Sequence, residues 1–238
     1  MRMKEDIYRL LAKERGFRSI AAWKLIQLDN KCGLFRSDTA CAVLDLCAAP
    51  GGWTQVVLER VGHGSLVVGV DLVCVIPIRG ATFVEQDITK LAECKSSIKA
   101  VMNEHNCSAF DLVLHDGSRA ATPNVGAASR NALVIDALKL ATHLLAPNAT
   151  FVTKVYRCQD YYSVKYCLQQ LFERVEVYKP RASRSSSAEV YVVAFNYKAG
   201  AAGAAKNDPD TPDVGRLFQE AIHTTPKKEE KSCQKCGA

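Results

Sequence analysis

An alternation of short apolar runs with longer amphipathic ones limits what this chain can fold into. AVLDL (42–46), SLVVGVDL (65–72), TFVEQDI (82–88), FDLVLHDG (110–117) and ATFVTKVY (149–156) read as strands. Residues 53–61, 89–104, 129–145 and 160–172 between them read as helices. Strands that alternate with helices predict a parallel sheet, since each return to the same sheet end needs a crossover. RVEVYKP (174–180) and EVYVVAFNY (189–197) break the pattern. The loop that joins them has no room for a crossover helix, so these two strands are expected to be antiparallel neighbours.

The expected fold class is therefore α/β. It is a seven-stranded, mostly parallel sheet with an antiparallel last strand and helices on both faces. That is the Rossmann-like architecture of class I S-adenosylmethionine (SAM) methyltransferases. With 238 residues, 48% of them hydrophobic, the chain has enough apolar surface for one full core. Residues 1–31 read as basic helices broken near Gly16, and 32–198 as the α/β domain. Residues 199–238 open with KAGAAGAAKNDPDTPDVG, which predicts a flexible or disordered tail, with VGRLFQEAI as one short helix.

In open α/β sheets a ligand lies outside the carboxyl ends of the strands, where strand order reverses. Those ends carry acids. The first strand delivers Asp45 and then CAAPGGW, the second ends in Asp71, the third in Asp87 and the fourth in Asp116. Any one of these acids alone reads more simply as a helix cap. Together they would repel a phosphate and suit a ligand with hydroxyls, amines and positive charge, which SAM combines. Asp71 suits the ribose diol and Asp87 the adenine amine. Gly51 and Gly52, just before Trp53, let the backbone approach a ligand closely. No G-x-G-x-x-G and no phosphate-loop lysine is present at this turn, which disfavours a nucleotide-dependent oxidoreductase.

Lys154 sits in an apolar strand (FVTKV), where a lysine is costly without a partner or a purpose. Lys24 lies on an otherwise apolar helix face (IAAWKLIQL), where a snorkelling surface residue is the plain alternative. Glu189 opens the last strand. Two lysines and two acids at one rim are expected to lower one lysine pKa through the other's charge and partial burial. A lysine so tuned could take the proton of a ribose hydroxyl that attacks a methyl group.

Lys and Arg number 31 against 25 Asp and Glu, a net charge of +6. Arg9, Lys13 and Arg18 belong to one basic cluster, and Lys179, Arg181 and Arg184 to another in a Ser-rich loop. The two could form one polyanion-binding surface, or be ordinary solvated faces. No run of about 18 apolar residues occurs, so no membrane span and no membrane partner is expected. MRMKEDIYRL lacks the apolar core of a secretory signal. Most of the ten cysteines, such as Cys41, Cys47 and Cys74, fall in apolar runs and are expected to be buried reduced thiols of an intracellular protein. Cys233 and Cys236 form a lone C-x-x-C with no second pair nearby, so no metal site is expected.

LDLCAAPGGW, GVDL, QDI, HDG, FVTKVYR and KPRASRSSSAEVYVV, in this order, resemble the FtsJ family of RNA 2′-O-ribose methyltransferases over roughly residues 5–198. The resemblance implies a catalytic tetrad of Lys24, Asp116, Lys154 and Glu189, with Lys154 as proton acceptor. It implies SAM as cofactor, held at Gly51, Trp53, Asp71, Asp87 and Asp116. AECKSSIKAVMNEHNCSAFDLVLHDG and RCQDYYSVKYCLQQLFERVEVYKPRASRSSSAEVYVV are most similar to the eukaryotic nucleolar pre-rRNA processing branch. That branch implies large-subunit rRNA as substrate, ribosome-assembly proteins as partners and a nucleolar location. The alternatives are the branch acting on tRNA anticodon loops and a largely non-catalytic assembly factor of the same fold. HDGSRAATPNVG departs from the family pattern, in which a Pro-Asn pair closely follows HDG, so residues 118–128 are expected to be rearranged.

Overall fold

The structure, a computed structural model, describes residues 2–35, 39–118, 131–198 and 213–224. Two helices, α1 (Arg2–Glu14) and α2 (Ala21–Cys32), lead into β1 (Ala42–Leu46) and α3 (Gly52–Arg60). There follow β2 (Leu66–Asp71), β3 (Thr82–Glu85), α4 (Leu91–Glu104), β4 (Phe110–His115) and α5 (Ala132–Thr142). The chain continues through β5 (Leu145–Tyr156), α6 (Tyr161–Leu171), β6 (Phe172–Tyr178), β7 (Glu189–Tyr197) and α7 (Val214–Thr224).

The seven strands form one sheet in the order β3-β2-β1-β4-β5-β7-β6. The β1–β2, β1–β4, β2–β3 and β4–β5 pairs are parallel, and β7 runs antiparallel to both β5 and β6. The short β6–β7 connection thus makes the antiparallel pair the sequence predicts, and β7 inserts between β5 and β6. Strand order reverses between β1 and β4, which opens a crevice at their carboxyl ends.

Alternation along the strands feeds two cores. Leu44, Leu46, Val113, Phe151 and Val155 face one side with Ile98 of α4, Leu138 of α5 and Leu168 of α6. Val43, Leu112, Leu114, Val152 and Tyr191 face the other with Ala12 of α1, Leu25 and Leu28 of α2 and Val57 of α3. The N-terminal helices are therefore part of the main sheet's packing. Helix α2 ends at Gly33, whose φ of 62° allows its N–H to reach the carbonyl of Asp29. The Asp29 carboxylate then accepts from Leu34 N and Phe35 N and pairs with Arg60 of α3 at 3.0 Å.

Boundaries at α5, β5 and β3 depart most from expectation. Helix α5 stops at Thr142 rather than reaching 145, and β5 starts at Leu145 rather than 149. Phe110 pairs with Leu145 but Leu112 with Thr150, so the chain bulges around Pro147 and Asn148, and Asn148 takes a φ of 62°. Strand β3 ends at Glu85, which leaves Asp87 in the following turn. Helix α7 falls on VGRLFQEAI, the one short helix expected within 199–238. Val214 and Ala221 are buried, with Val214 in the core that α5 and α6 share, because that helix face is apolar and docks there. The 118–128 segment expected to be rearranged, beyond Ser118, and Cys233 and Cys236 lie outside the described residues.

Candidate active site

The turn after β1 meets the end of β4 at the point where strand order reverses. Gly51 adopts a φ of 107°, and a Cβ built on it would lie 2.9 Å from the Ile78 side chain. A Cβ on Gly52 would lie 2.2 Å from Ser19 Oγ. Both positions require glycine, for backbone conformation in the first case and close packing in the second. Arg18 fixes this turn from outside. Its guanidinium donates to the carbonyls of Pro50 (3.1 Å), Ile76 (2.5 Å) and Pro77 (3.1 Å). Arg18 thereby clamps the Gly-Gly turn to the loop after β2.

Beside this turn lies a cleft of about 360 Å³, within the range of small-ligand sites. Its charged lining is Asp71, Asp87 and Asp116, with no lysine or arginine among its described lining residues. Two of these acids also shape the loops. Asp71 accepts from Ala49 N at 2.9 Å and from Val73 N at 3.1 Å. Asp87 accepts from the Thr89 amide and hydroxyl at 2.9 and 2.7 Å, a local cap of the turn into α4. Gly52, Trp53 and Asp116 line a smaller recess beside the cleft, and Asp45 lies at its base. Asp45 is not at the open rim, as an acid delivered by the first strand was expected to be, because it lies within β1 rather than beyond its end. It is 1% exposed and accepts from Thr54 Oγ1 at 2.7 Å. Burial pushes its pKa up to about 7, opposed by the Thr54 hydrogen bond and reinforced by Asp116 and Asp71.

The residues present fit a SAM-sized ligand. Carboxylates that can accept from hydroxyls and amines line the cleft, its volume suffices, and nothing in its described lining would neutralise a pyrophosphate. Trp53 is 3% exposed; its Nε1 donates to Ala21 O at 2.8 Å and its ring packs on Tyr191 at 5.8 Å. Trp53 therefore also ties α3 to α2 beneath the site.

Lys24, Asp116, Lys154 and Glu189 come together from four elements. They form two ion pairs. Lys24 Nζ lies 2.7 Å from Glu189 Oε1, and Lys154 Nζ lies 3.1 Å from Asp116 Oδ1. Lys154 also donates to the Asp116 backbone carbonyl. Tyr191 stands between the pairs. Its hydroxyl donates to Asp116 Oδ1 at 2.7 Å, and Lys24 Nζ sits 5.6 Å from its ring centroid. Register explains the assembly, since Lys154 of β5 is paired with Tyr191 of β7 and Tyr156 with Glu189. Ser183 Oγ donates to Glu189 Oε1 at 2.8 Å, and Ala182 N to Gln27 Oε1 at 3.1 Å, which hold the 179–188 loop against α2.

The pairing corrects the expected lysine electrostatics. Burial, the largest single influence, pushes the Lys154 pKa down, but Asp116, Tyr156 and Glu189 together outweigh it, and the net shift is upward. The other lysine does not depress it, because each ammonium has its own carboxylate. Burial would raise Glu189, but Lys24, Ser183 and Lys154 together hold it below the ordinary carboxylate value. Burial and Asp116 push the Tyr191 phenol far up, so it stays neutral and donates.

The basic clusters divide. Arg9, Lys13, Arg181 and Arg184 are exposed. Lys179 is exposed too, and its Nζ also donates to the carbonyls of Ser185 and Ser187 at 3.1 and 2.5 Å, closing its own loop. Tyr191 and Ser183 escaped the sequence reading. Tyr191 was detectable as the residue two past Glu189, and so on the same face of β7.

The family model described as FtsJ-like methyltransferase matches residues 17–197. The chain belongs to the FtsJ-like methyltransferase family. Among curated relatives, it is 41% identical over 232 residues to the AdoMet-dependent rRNA methyltransferase SPB1 of Pyricularia oryzae, covering 95% of this chain and 25% of that protein. It is 43% identical over 222 residues to the Schizosaccharomyces pombe protein of the same description, covering 90% and 26%. It is 40% identical to the 27S pre-rRNA (guanosine(2922)-2′-O)-methyltransferase of Saccharomyces cerevisiae, covering 90% and 25%. The chain thus spans about a quarter of the length of the curated relatives it matches. Among solved structures, a Plasmodium falciparum protein described as a ribosomal RNA methyltransferase matches with a TM-score of 0.59 and 27% identity, over 76% of this chain and 98% of that one.

Proposed function

We propose that this chain is a SAM-dependent 2′-O-ribose methyltransferase acting on RNA. The observation that carries this reading is the pair of lysine–carboxylate contacts, Lys24–Glu189 and Lys154–Asp116, joined through Tyr191 at the edge of an acid-lined cleft. The names of the relatives support large-subunit pre-rRNA as the RNA class. That assignment would place the protein in the nucleolus among ribosome-assembly proteins. We assign α1 and α2, with exposed Arg9 and Lys13, to the RNA surface, together with Arg181 and Arg184 of the 179–188 loop.

Asp71 would hold the cofactor's ribose diol, Asp87 its adenine amine and Asp116 its amino group, with Gly51, Gly52 and Trp53 shaping the turn behind it. When bound, SAM supplies an electrophilic methyl group. Lys154 is assigned as the acceptor of the 2′-hydroxyl proton. At rest its ammonium is stabilised by Asp116, so it must first lose a proton. Any interaction that draws the Asp116 carboxylate away from Nζ leaves burial as the dominant influence, and burial lowers a lysine pKa. Glu189 holds Lys24 in place beside the reacting oxygen. The remaining rate enhancement comes from alignment of the ribose oxygen with the methyl group.

The test is methyl transfer from radiolabelled SAM to rRNA transcripts that lack the modification. Lys154→Ala is expected to bind SAM like the unaltered protein in calorimetry and to lose transfer by about 10²- to 10⁴-fold, the usual contribution of a general base. Transfer that survives Lys154→Ala would overturn the base assignment. A wild-type chain that binds neither SAM nor RNA would overturn the whole reading.

A further inference from the structure

The N-terminal half of α6 and the turn before it carry an aromatic and basic surface that the tetrad does not use. Tyr162 and Tyr166 are 44% and 38% exposed, among the few large hydrophobic side chains so open among the described residues. They stand four residues apart on α6, so they are neighbours on one helix face. Tyr161, 9% exposed, meets Tyr162 edge-on with ring centroids 5.2 Å apart and planes at 76°. The Arg157 guanidinium lies 5.9 Å from the Tyr161 ring. Lys165 lies on the same helix.

Two further features set this surface beside the reacting centre. Arg157 is three residues from Lys154, and its amide donates to the carbonyl of Ala188, next to Glu189. The turn that presents it is also pinned. The Asn131 side chain donates to Tyr156 O and Asp160 Oδ1 and accepts from Tyr156 N, at 3.0, 2.8 and 2.8 Å. Tyr162 and Arg157 are thus held on a braced turn, and rings fixed before binding lose little entropy when a partner arrives.

We infer that Tyr162 and Tyr166, with Arg157 and Lys165, form a stacking platform for unpaired RNA bases that flank the target ribose. Aromatic rings interleaved with cations suit single-stranded RNA, whose bases stack on the rings while its phosphates meet the cations. The platform lies on the α6 side of the sheet and the α1–α2 cluster on the other, so a strand crossing the rim between them passes over Lys154. The inference rests on the RNA-methyltransferase reading above and extends it to the flanking nucleotides.

The probe is an unstructured RNA oligonucleotide that carries 2-aminopurine, whose fluorescence falls when it stacks on an aromatic ring, titrated with the 238-residue chain. Wild type is expected to quench it. Tyr162→Ala and Tyr166→Ala are each expected to abolish part of the quench and weaken binding by roughly 5- to 150-fold. Tyr162→Phe and Tyr166→Phe keep both the quench and the affinity, because the ring does the stacking. In methyl-transfer assays the alanine variants' loss falls on KM for RNA rather than on kcat, and SAM affinity stays at the wild-type value. Alanine variants that bind and quench like wild type, while wild type methylates RNA, overturn the platform and leave the enzyme reading standing. Ring-dependent quenching by a wild type that transfers no methyl group supports the platform and counts against the enzyme reading. Loss of a protein partner in the alanine variants, with RNA binding intact, overturns the platform in favour of a protein surface.

Discussion

Lys154 and Asp116 form an ion pair across the seam between β5 and the end of β4, and the Tyr191 hydroxyl donates to the same carboxylate oxygen. This geometry holds Lys154 protonated until Asp116 is engaged elsewhere. Asp116→Asn removes the main influence that raises the Lys154 pKa and leaves burial, which lowers it. If Lys154 must be neutral to accept the ribose proton, kcat rises as pH climbs through its pKa. The rising limb of the kcat–pH profile, at saturating SAM, is therefore expected to shift to lower pH in Asp116→Asn, although the maximal rate falls. An unmoved limb would separate Lys154 from the proton transfer.

The Lys24–Glu189 pair makes a different prediction, about stability. Glu189 is 8% exposed, and its carboxyl is held below its usual pKa. A depressed carboxyl contributes stability above its unfolded pKa and loses it as pH falls through the folded value. Glu189→Gln leaves the Lys24 ammonium without its charge partner, at a cost of about 3 kcal/mol for a buried pair broken from one side. The Tm gap between wild type and Glu189→Gln is expected to be constant near neutral pH and to close as pH falls below about 4.5, the ordinary value for this group. Thermal melts across that range check it, and a gap that persists at low pH would assign the loss to packing.

How much of this was legible in the sequence depends on what each residue does. The strands that carry Asp71 and Lys154 and the one that leads into Asp116 were readable because they are apolar runs between turn residues, and a lysine inside FVTKV stands out against such a background. The antiparallel β6–β7 pair followed from a loop too short to cross over. What escaped depends on interactions between residues far apart in the chain. Nothing local says that β7 inserts beside β5, so the Tyr191–Asp116 hydrogen bond was not readable. The contacts of Arg18 and Lys179 were not readable because their acceptors are backbone carbonyls, which have no sequence signature. Helix α7 was visible as a helix, but its docking depends on a groove between α5 and α6 that only the folded chain creates.

The division of the basic residues can be tested by mutation and salt. Exposed Arg9, Lys13, Arg181 and Arg184 are assigned to RNA phosphates. Replacing Arg9 and Lys13 by Ala is expected to weaken RNA binding and to lower the salt slope by about one for each phosphate no longer neutralised. Arg18→Ala is expected to behave differently. Removing its hydrogen bonds to Pro50, Ile76 and Pro77 loosens the Gly-Gly turn, at about 2 kcal/mol of stability and with weaker SAM binding. The salt slope for RNA should not change. A salt slope reduced in Arg18→Ala and unaltered in the Arg9–Lys13 variant would reverse the assignment.

Asp45 supplies the remaining prediction, and its sign is opposite to that of Glu189. It lies buried at the base of the recess beside the cofactor turn, with a pKa pushed up to about 7. Between the ordinary aspartate value of 3.8 and about 7 the folded chain holds a proton at this position that the unfolded chain has released. Folding stability from this group therefore falls as pH rises through that interval, and it is flat above it. Asp45→Asn cannot ionise, yet its amide oxygen can still accept from Thr54. Relative to wild type, Asp45→Asn is expected to gain stability as pH rises from about 4 to about 7, the interval set by the ordinary and raised values. Chemical denaturation at a series of pH values measures that difference. A difference independent of pH would mean that Asp45 ionises in the folded protein as it does in the unfolded chain, and that the recess beneath the cofactor turn is wetter than its burial implies.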